Sequence, residues 1–484
     1  MASSLVFGLG LWVASCTPST STGPKGPDLT GPVGSASSDA KQRSELALTV
    51  YNQNFGLVRE VRKLRLGTGR VSLEYRDVSA HVQPETVSIK PLGDERALSV
   101  LEQNYRYDLL GPKTLLEKYV GKKIKAYRYN EKLGREDAFD AEVLSATDAG
   151  TVLRINGEVT YDFPGRFGFP EVPPNLIPKP TLVWLLASGL AEQQVEVTYL
   201  TQGLGWRADY VLVVDDKDAL GDLTGWVTLS NDTGTSYEGA RLKLVAGDVQ
   251  RVAPTTVTLA PVLLEADKAQ DERQFRQESF FEYHLYTLER PTSVLDKEQK
   301  QVTLLEGHGA GIAKKLIFPS QEYWYRGRYG QVVSNQKVGV FLDIMNSEQN
   351  HLGMPLPKGI VRVYKADSSG AKQFIGEDSI DHTPRDEKIR VKMGESFDVV
   401  GDRKQMEWKS LGSCSSESAW EISLRNHKDA AESVEVVEPV GGDWEIVSSS
   451  HPAHKKDAKT FVFEVQVPAR GETKVSYRVR VRWC

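Results

Sequence analysis

The stretch QVEVTYLTQGLGWRADYVLVV, Gln194–Val214, indicates the fold because its apolar side chains recur at every second position. Successive side chains of a β-strand point to opposite faces, so QVEVTYL and ADYVLVV each predict a strand with one buried face. Such alternation is typical of antiparallel sheets that are wet on one face, whereas the parallel strands of α/β enzymes read as continuous apolar runs. The stretch therefore predicts antiparallel β-structure.

The same pattern extends along the chain from Ser44, and helical periodicity is scarce. Further strands are predicted in LALTVY, RVSLEYR, TVSIKPL, GWVTLS, ARLKLVAG, KVGVFLDI, GIVRVYKA, KIRVKMG, AWEISLRN, SVEVVEPV, DWEIVSSS, FVFEVQV and KVSYRVRVRW. No period of about 20–50 residues repeats, so the sequence does not indicate a propeller or a solenoid. We expect an all-β chain of tandem antiparallel β-sandwich domains, since single cores stop growing near ~250 residues and the chain has 484.

The composition argues against nucleic-acid binding. The chain carries 60 Lys and Arg against 65 Asp and Glu, a net charge of -5. A nucleic-acid-binding protein normally presents an excess of basic residues to the phosphates, so we expect no nucleic-acid partner. Charged residues at 26% and apolar residues at 40% are typical of an ordinary globular protein.

The N-terminus carries an export pattern. Leu5–Val13 is a run of nine mostly apolar residues, too short for the ~20 residues of a spanning helix but long enough for the core of a signal peptide. Val13-Ala14-Ser15-Cys16 then resembles the bacterial lipobox, in which the cysteine is lipidated on sulfur and becomes the mature N-terminus. We therefore expect Cys16 to anchor the protein to a membrane, and Thr17 after it favours the outer membrane.

Composition and turn signals along the sequence divide the chain into predicted segments. Pro, Gly, Ser and Thr dominate the residues after Cys16, a composition that cannot bury a core. Short strands with an Asn156-Gly157 hairpin of type I′ indicate a small barrel further on. The predicted segments are a lipoprotein signal peptide at 1–16, a disordered tether at 17–44, an N-terminal β-domain at 45–113, a small SH3-like or Sm-like β-barrel at 114–175, a central β-sandwich region at 180–410 with a flexible segment at 260–277, and a C-terminal immunoglobulin-like β-sandwich at 411–484.

Two cysteines besides Cys16 lie in the C-terminal segment, Cys414 and Cys484. In an oxidising compartment they can pair, and the closed loop would stabilise the last domain by roughly 4 kcal/mol. The alternative is a buried thiol in a loop and a free thiol at the chain end. The sequence leaves both open.

Few residues suggest catalysis. No Walker loop, G-x-S-x-G elbow, H-E-x-x-H or paired C-x-x-C occurs, and we expect no cofactor and no metal. His451 and His454 lie beside two lysines that would repel a cation, so a solvated hairpin tip is the better interpretation. Glu282 and His284 are two apart on a predicted strand, where the carboxylate could orient the imidazole as a general base. They are the weak catalytic candidates.

Several large aromatic residues allow two interpretations. Tyr199, Trp206, Tyr210 and Trp226 could stack on sugar rings, or they could pack between sheets. An exposed aromatic row would favour the first and full burial the second.

The strings VTYLTQGLGWRADYVLVVDD, LTGWVTLSNDTGTSYEGARLKLVAGDVQRV and EYHLYTLERP resemble the bacterial proteins that share the domain of unknown function DUF4139, which are related to the mucoidy-inhibitor proteins. The resemblance extends over Leu46–Trp483, and the spacing of Tyr199, Trp206 and Tyr210 is its most specific part. The long coiled-coil N-terminal region of the mucoidy-inhibitor type is missing. The resemblance implies an all-β envelope protein with no agreed catalytic residues.

Three functional hypotheses follow. The first is a non-enzymatic envelope lipoprotein, held to the membrane by its N-terminal lipid, that binds or scaffolds an envelope protein or a polysaccharide. The second is a carbohydrate-binding module. The third is a hydrolase, which requires a pocket in which carboxylates, or Glu282 and His284, converge.

Overall fold

The computed structural model describes residues 31–247, 249–251 and 275–484. These residues form two compact units, each built almost entirely of strands. The first unit comprises the chain up to Glu45, Glu60–Ala80 and Pro84–Thr198, and the second comprises Leu46–Arg59, His81–Gln83 and Tyr199–Cys484. The signal peptide, Cys16, the first half of the predicted tether and most of the predicted flexible segment lie outside the described residues.

The strands and the α-helix of the N-terminal part of the chain are, in chain order, β1 (Gly34–Ser38), β2 (Arg43–Tyr51), β3 (Phe55–Arg65), β4 (Gly69–Arg76), β5 (Ser88–Pro91), β6 (Leu98–Arg106), α1 (Pro112–Lys118), β7 (Lys123–Asn130), β8 (Arg135–Thr147), β9 (Gly150–Ile155), β10 (Glu158–Tyr161), β11 (Arg166–Gly168), β12 (Thr181–Ser188) and β13 (Glu192–Gln202). The later strands are β14 (Leu204–Val214), β15 (Leu220–Asn231), β16 (Tyr237–Ala246), β17 (Phe275–Phe280), β18 (Tyr283–Leu288), β19 (Thr292–Val294), β20 (Glu298–Pro319), β21 (Gln331–Met345), β22 (Gly359–Ala366), β23 (Lys372–Ile380), β24 (Lys388–Gly412), β25 (Ser415–Asn426), β26 (Glu432–Pro439), β27 (Asp443–Ser449), β28 (Ala453–Asp457), β29 (Thr460–Val467) and β30 (Glu472–Arg482). Short 3-10 helices occupy Ala40–Gln42, Pro84–Thr86, Glu95–Ala97, Glu322–Arg326 and Glu348–Asn350. The prediction of an all-β, sandwich-like fold is confirmed. No helix among these residues is long and apolar enough to cross a membrane.

The stretch that predicted the fold becomes β13 and β14, which are separated by Gly203. This glycine has a φ of +85°, and a Cβ placed on it would lie 3.1 Å from the backbone of Asp232, so a larger residue would be both strained and crowded there. After the turn, β14 pairs with β15 in antiparallel register and with β22 in parallel register. β13 belongs to a different sheet, in which it lies between β3 and β5, so the two period-2 runs form interior strands of two separate sheets.

The first unit contains a four-stranded sheet in the order β1-β4-β12-β6. Its core includes Leu73, Tyr75, Leu182 and Trp184, each 0% exposed. The prediction of a disordered tether through residue 44 is wrong in its last part, because β1 pairs in parallel with β4. Backbone hydrogen bonds to an existing sheet edge do not require apolar side chains, so the sequence GSASS can form a strand despite its composition.

The predicted small barrel is a five-stranded antiparallel sheet in the order β10-β9-β8-β7-β11, preceded by α1. The predicted hairpin is confirmed: Asn156 and Gly157 have φ values of 53° and 89°, as a type I′ turn requires, and Ile155 faces Glu158. Among the residues that the structure describes, no ladder joins β10 to β11, so backbone pairing does not close the barrel. The two strands at the edges of this sheet are short, with four residues in β10 and three in β11.

The second unit contains a large sheet whose main path is β23-β22-β14-β15-β20-β21-β24-β25-β30-β27. Two long strands, β20 with 22 residues and β24 with 25, run through it. The C-terminal end of β20 pairs in parallel with β26, which pairs in turn with β29. These strands belong to a C-terminal sandwich. Its core includes Leu316, Phe318 and Trp324, which precede the predicted domain boundary at residue 411. The last three residues of the predicted flexible segment, 275–277, belong instead to β17.

Candidate functional site

The structure does not assemble the catalytic pair that the sequence suggested. Glu282 lies in the exposed two-residue turn between β17 and β18, so its predicted place on a strand is wrong. His284 lies on β18, where its Nδ1 is 2.8 Å from Nε2 of Gln277, and burial lowers the pKa of the imidazole. Phe281 in this turn has a φ of 56°. The turn contains none of the Gly, Asn or Asp residues that usually indicate such a turn in a sequence.

Three of the four aromatic candidates for sugar stacking are buried. Tyr199 and Tyr210 are 0% exposed and Trp206 is 5% exposed. The Tyr210 hydroxyl donates to the carbonyl of Pro357 at 2.7 Å, and the Trp206 indole donates to the carbonyl of Val245 at 3.2 Å. These rings therefore pack in the core. Trp226 is partly buried.

The structure places both candidate metal-binding histidines near the surface of the C-terminal sandwich. His451 lies in a bend, where its Nδ1 is 3.0 Å from the hydroxyl of Ser450. His454 is exposed on β28 and faces Val462 of β29 in the ladder. Within the described ranges, no group of three or more His, Cys, Asp or Glu residues could hold a metal ion.

Cys414 and Cys484 form a disulfide. Their Cα atoms are 5.7 Å apart, a separation that a disulfide spans. Cys414 lies in the turn between β24 and β25, and its carbonyl also accepts a hydrogen bond from the amide of Trp483 at 3.0 Å. Of the two alternatives that the sequence left open, the structure has the paired one.

A groove that the sequence analysis did not anticipate lies beside this disulfide-linked hairpin. We call it the β24 groove. It is an open cavity of about 460 Å³ lined by Arg328, Tyr329, Gln405, Met406, Glu407, Trp408 and Lys409. The ring of Tyr329 is 41% exposed and the side chain of Met406 is 52% exposed, whereas Trp408 is partly buried.

Gln405 holds the loop that forms one wall of the β24 groove. Its Oε1 accepts a hydrogen bond from the amide of Tyr329 at 2.5 Å, and its Nε2 donates to the carbonyl of Gly327 at 3.0 Å. The amide of Gln405 donates to the carbonyl of Gly330 at 2.9 Å. The ring of Tyr329 lies so close to Gly327 that a Cβ there would be 3.4 Å from it. These hydrogen bonds fix the backbone of the loop that carries Tyr329.

Basic side chains outnumber acidic ones among the residues that line the β24 groove. Glu407 forms an ion pair of 2.6 Å with Arg478, which also pairs with Glu417 at 3.2 Å, so the charge of Glu407 is partly offset. Arg328 and Lys409 are exposed, and in the part of the chain that the structure describes neither has a carboxylate within ion-pair distance. The groove therefore combines a flat aromatic surface with two cationic side chains that lack acidic partners.

One signal in the sequence could have indicated this groove. The string EYWYRGRYG, Glu322–Gly330, alternates aromatic and arginine residues without the period of a strand. Trp324 and Tyr325 turn into the core, while Arg328 and Tyr329 remain at the surface. The string marks an unusual loop, but the pairing of this loop with β24 is a tertiary contact.

A family model described as a domain of unknown function, DUF4139, matches residues 195–484. The matched residues include the β24 groove and both cysteines of the disulfide. No curated protein matches the chain.

Proposed function

The chain belongs to the DUF4139 family, and we propose that this member is an exported, lipid-anchored protein of the bacterial cell envelope that binds or scaffolds other envelope components. Cys16 carries the lipid, and the outer membrane is the favoured location. The folded units act by binding rather than by catalysing a reaction.

The disulfide between Cys414 and Cys484 is the observation that carries this proposal. Disulfides form and persist in oxidising compartments outside the cytosol and are rare within it. An apolar run followed by a cysteine at position 16 provides a matching export signal at the other end of the chain. Two independent features, more than 390 residues apart in sequence, thus favour the same compartment.

The described strands leave space for a tether. The first of them, β1, begins at Gly34, so about seventeen residues separate it from Cys16. Pro, Gly, Ser and Thr dominate them, a composition that cannot bury a core. A lipid on Cys16 would then hold the folded units close to the bilayer surface, and more than one acyl chain would make the anchor stable.

A binding role is supported by the β24 groove, whose exposed side chains offer contact area and charge. Tyr329, Arg328 and Lys409 are the groups that a ligand would meet first. The hydrolase hypothesis has weaker support, because Glu282 lies in an exposed turn and the described hydrogen-bond partner of His284 is Gln277.

Replacing Cys16 with Ala is expected to abolish lipidation. The full chain is expressed in a bacterium supplied with an alkyne analogue of palmitate, and labelling and membrane fractionation are compared with wild type. Wild type should take up the label and sediment with the outer membrane, whereas Cys16→Ala should take up none, since the acceptor sulfur is missing. Cys414→Ser is the matched control and should keep its label. An unlabelled wild type, or a labelled Cys16→Ala protein, would refute the anchor.

A further inference from the structure

We propose that the β24 groove is a binding site for an anionic saccharide, such as a polymer of uronic acids. This inference deepens the proposed binding function and rests on it, but it does not depend on the lipid anchor. Three properties of the groove support it: the aromatic surface, the charge and the shape.

The aromatic surface comes from Tyr329 and Trp408, with Met406 beside them. The face of an aromatic ring carries partial negative charge, and the C–H groups of a pyranose face carry partial positive charge. A sugar ring therefore stacks on such a face, whereas an acidic peptide has no flat apolar face to offer. Gln405 fixes the loop that carries Tyr329 through three hydrogen bonds, so little conformational entropy is lost on binding.

The positive charge of the groove favours anionic saccharides over neutral ones. Arg328 and Lys409 lie in the same groove without acidic partners among the described residues. A guanidinium forms a bidentate pair with a carboxylate, and such charge-assisted hydrogen bonds are stronger than neutral ones. Glu407 would oppose an anion, but its ion pair with Arg478 at 2.6 Å offsets part of that charge. A neutral sugar would form no ion pair with either cation.

The shape suits a chain rather than a small enclosed molecule. The cavity of about 460 Å³ lies within the range of small-molecule sites, yet it is open to solvent rather than enclosed. One or two sugar units of a polymer would fill it while the rest of the polymer stays in solvent. We expect binding of modest affinity per site.

Binding is tested with the purified full chain in mild detergent and with immobilised polygalacturonate as the probe. Dextran serves as a neutral saccharide and poly-L-glutamate as an anionic polymer without sugar rings. We expect binding to polygalacturonate that is several times tighter than binding to either comparison polymer. Because the charges lie at the surface, raising the salt from about 0.05 to about 0.5 M should weaken it.

Substitutions of groove residues test whether binding occurs in the β24 groove. Tyr329→Ala should raise the dissociation constant for polygalacturonate about tenfold, since a lost aromatic contact of ~1.4 kcal/mol corresponds to that factor. Tyr329→Phe should retain most of the affinity. Arg328→Gln should weaken binding and reduce its salt dependence. Both positions are exposed, so folding is expected to be unaffected, and circular dichroism checks this.

Two matched controls lie in strands of the same large sheet but outside the groove. Phe397, on β24, is 84% exposed, and Lys474, on β30, is also exposed. Phe397→Ala and Lys474→Gln should change the dissociation constant by less than about twofold. Equal losses in the controls and the groove variants would overturn the location.

The comparison polymers separate the alternatives. Equal binding of dextran would overturn the anionic class, and equal binding of poly-L-glutamate would overturn the saccharide. No binding to polygalacturonate would overturn the proposal outright. Groove-dependent binding by a chain that proves to lack a lipid on Cys16 would support this site while refuting the anchor, so the two failures are distinguishable.

Discussion

Glu438→Gln is expected to destabilise the C-terminal sandwich by about 3–5 kcal/mol, the loss typical of removing one partner from a buried ion pair. Glu438 and Arg403 are both 0% exposed, and Oε1 of the glutamate accepts from the guanidinium at 2.6 Å. Glutamine has nearly the same volume, so the substitution leaves no cavity. It leaves the arginine charged and buried without its counter-ion, and that is the origin of the expected loss.

Neighbouring groups hold this pair in one arrangement. The Tyr325 hydroxyl donates to Oε2 of Glu438 at 2.5 Å and lies 3.0 Å from the Tyr477 hydroxyl. Burial, reinforced by the charge of Glu438, raises the pKa of both phenols well above its ordinary value, so both remain protonated donors. The Arg403 guanidinium lies 5.3 Å from the ring of Trp324. The pair is thus the centre of a buried network that links β24 and β26 with the segment that contains Trp324 and Tyr325.

Hydrogen exchange of peptides from β25 and β30 measures the effect, because it reports local stability in a chain that need not unfold in one step. Asp429→Asn is the matched control, since its ion pair with Arg470 is 87% and 65% exposed and should contribute less than about 1 kcal/mol. The double variant Arg403→Met with Glu438→Leu should recover much of the lost stability, because no charge then remains buried. A loss below about 1 kcal/mol in Glu438→Gln would contradict the prediction.

Cys484→Ser is expected to destabilise the same sandwich by about 4 kcal/mol. The disulfide joins residues 70 apart in sequence, and opening it restores the conformational freedom of that loop to the unfolded chain. The variant should lose protection from hydrogen exchange in β25 and β30, while the peptides of β7–β9 in the first unit keep theirs.

Reduction provides an independent test of the disulfide. Dithiothreitol should reproduce the effect of Cys484→Ser in wild type and add nothing to it in the variant. Cys16→Ala, which removes the remaining cysteine, should leave β25 and β30 unchanged. Equal protection of oxidised and reduced wild type would show that the disulfide does not stabilise the sandwich.

Short-range patterns in the sequence were sufficient for much of the fold. The alternation in Gln194–Val214 predicted the strands that became β13 and β14, because side-chain direction in a strand depends only on position parity. Asn156-Gly157 predicted its turn because both residues tolerate positive φ. The family assignment was likewise available from local strings of residues, and it is confirmed over residues 195–484.

The candidate site depended on contacts between distant parts of the chain. The β24 groove joins Tyr329 to Trp408, and the buried pair joins Arg403 to Glu438. Residues 34–38 form a strand only because β4 offers an open edge, and the turn at Phe281 has no sequence signal. By itself the sequence determined the class of fold, many of the strands, one hairpin and the family. Only the tertiary structure decided whether Cys414 and Cys484 pair, which aromatic rings are buried and where the groove lies, because backbone pairing and burial join residues whose spacing in sequence carries no information about their contact.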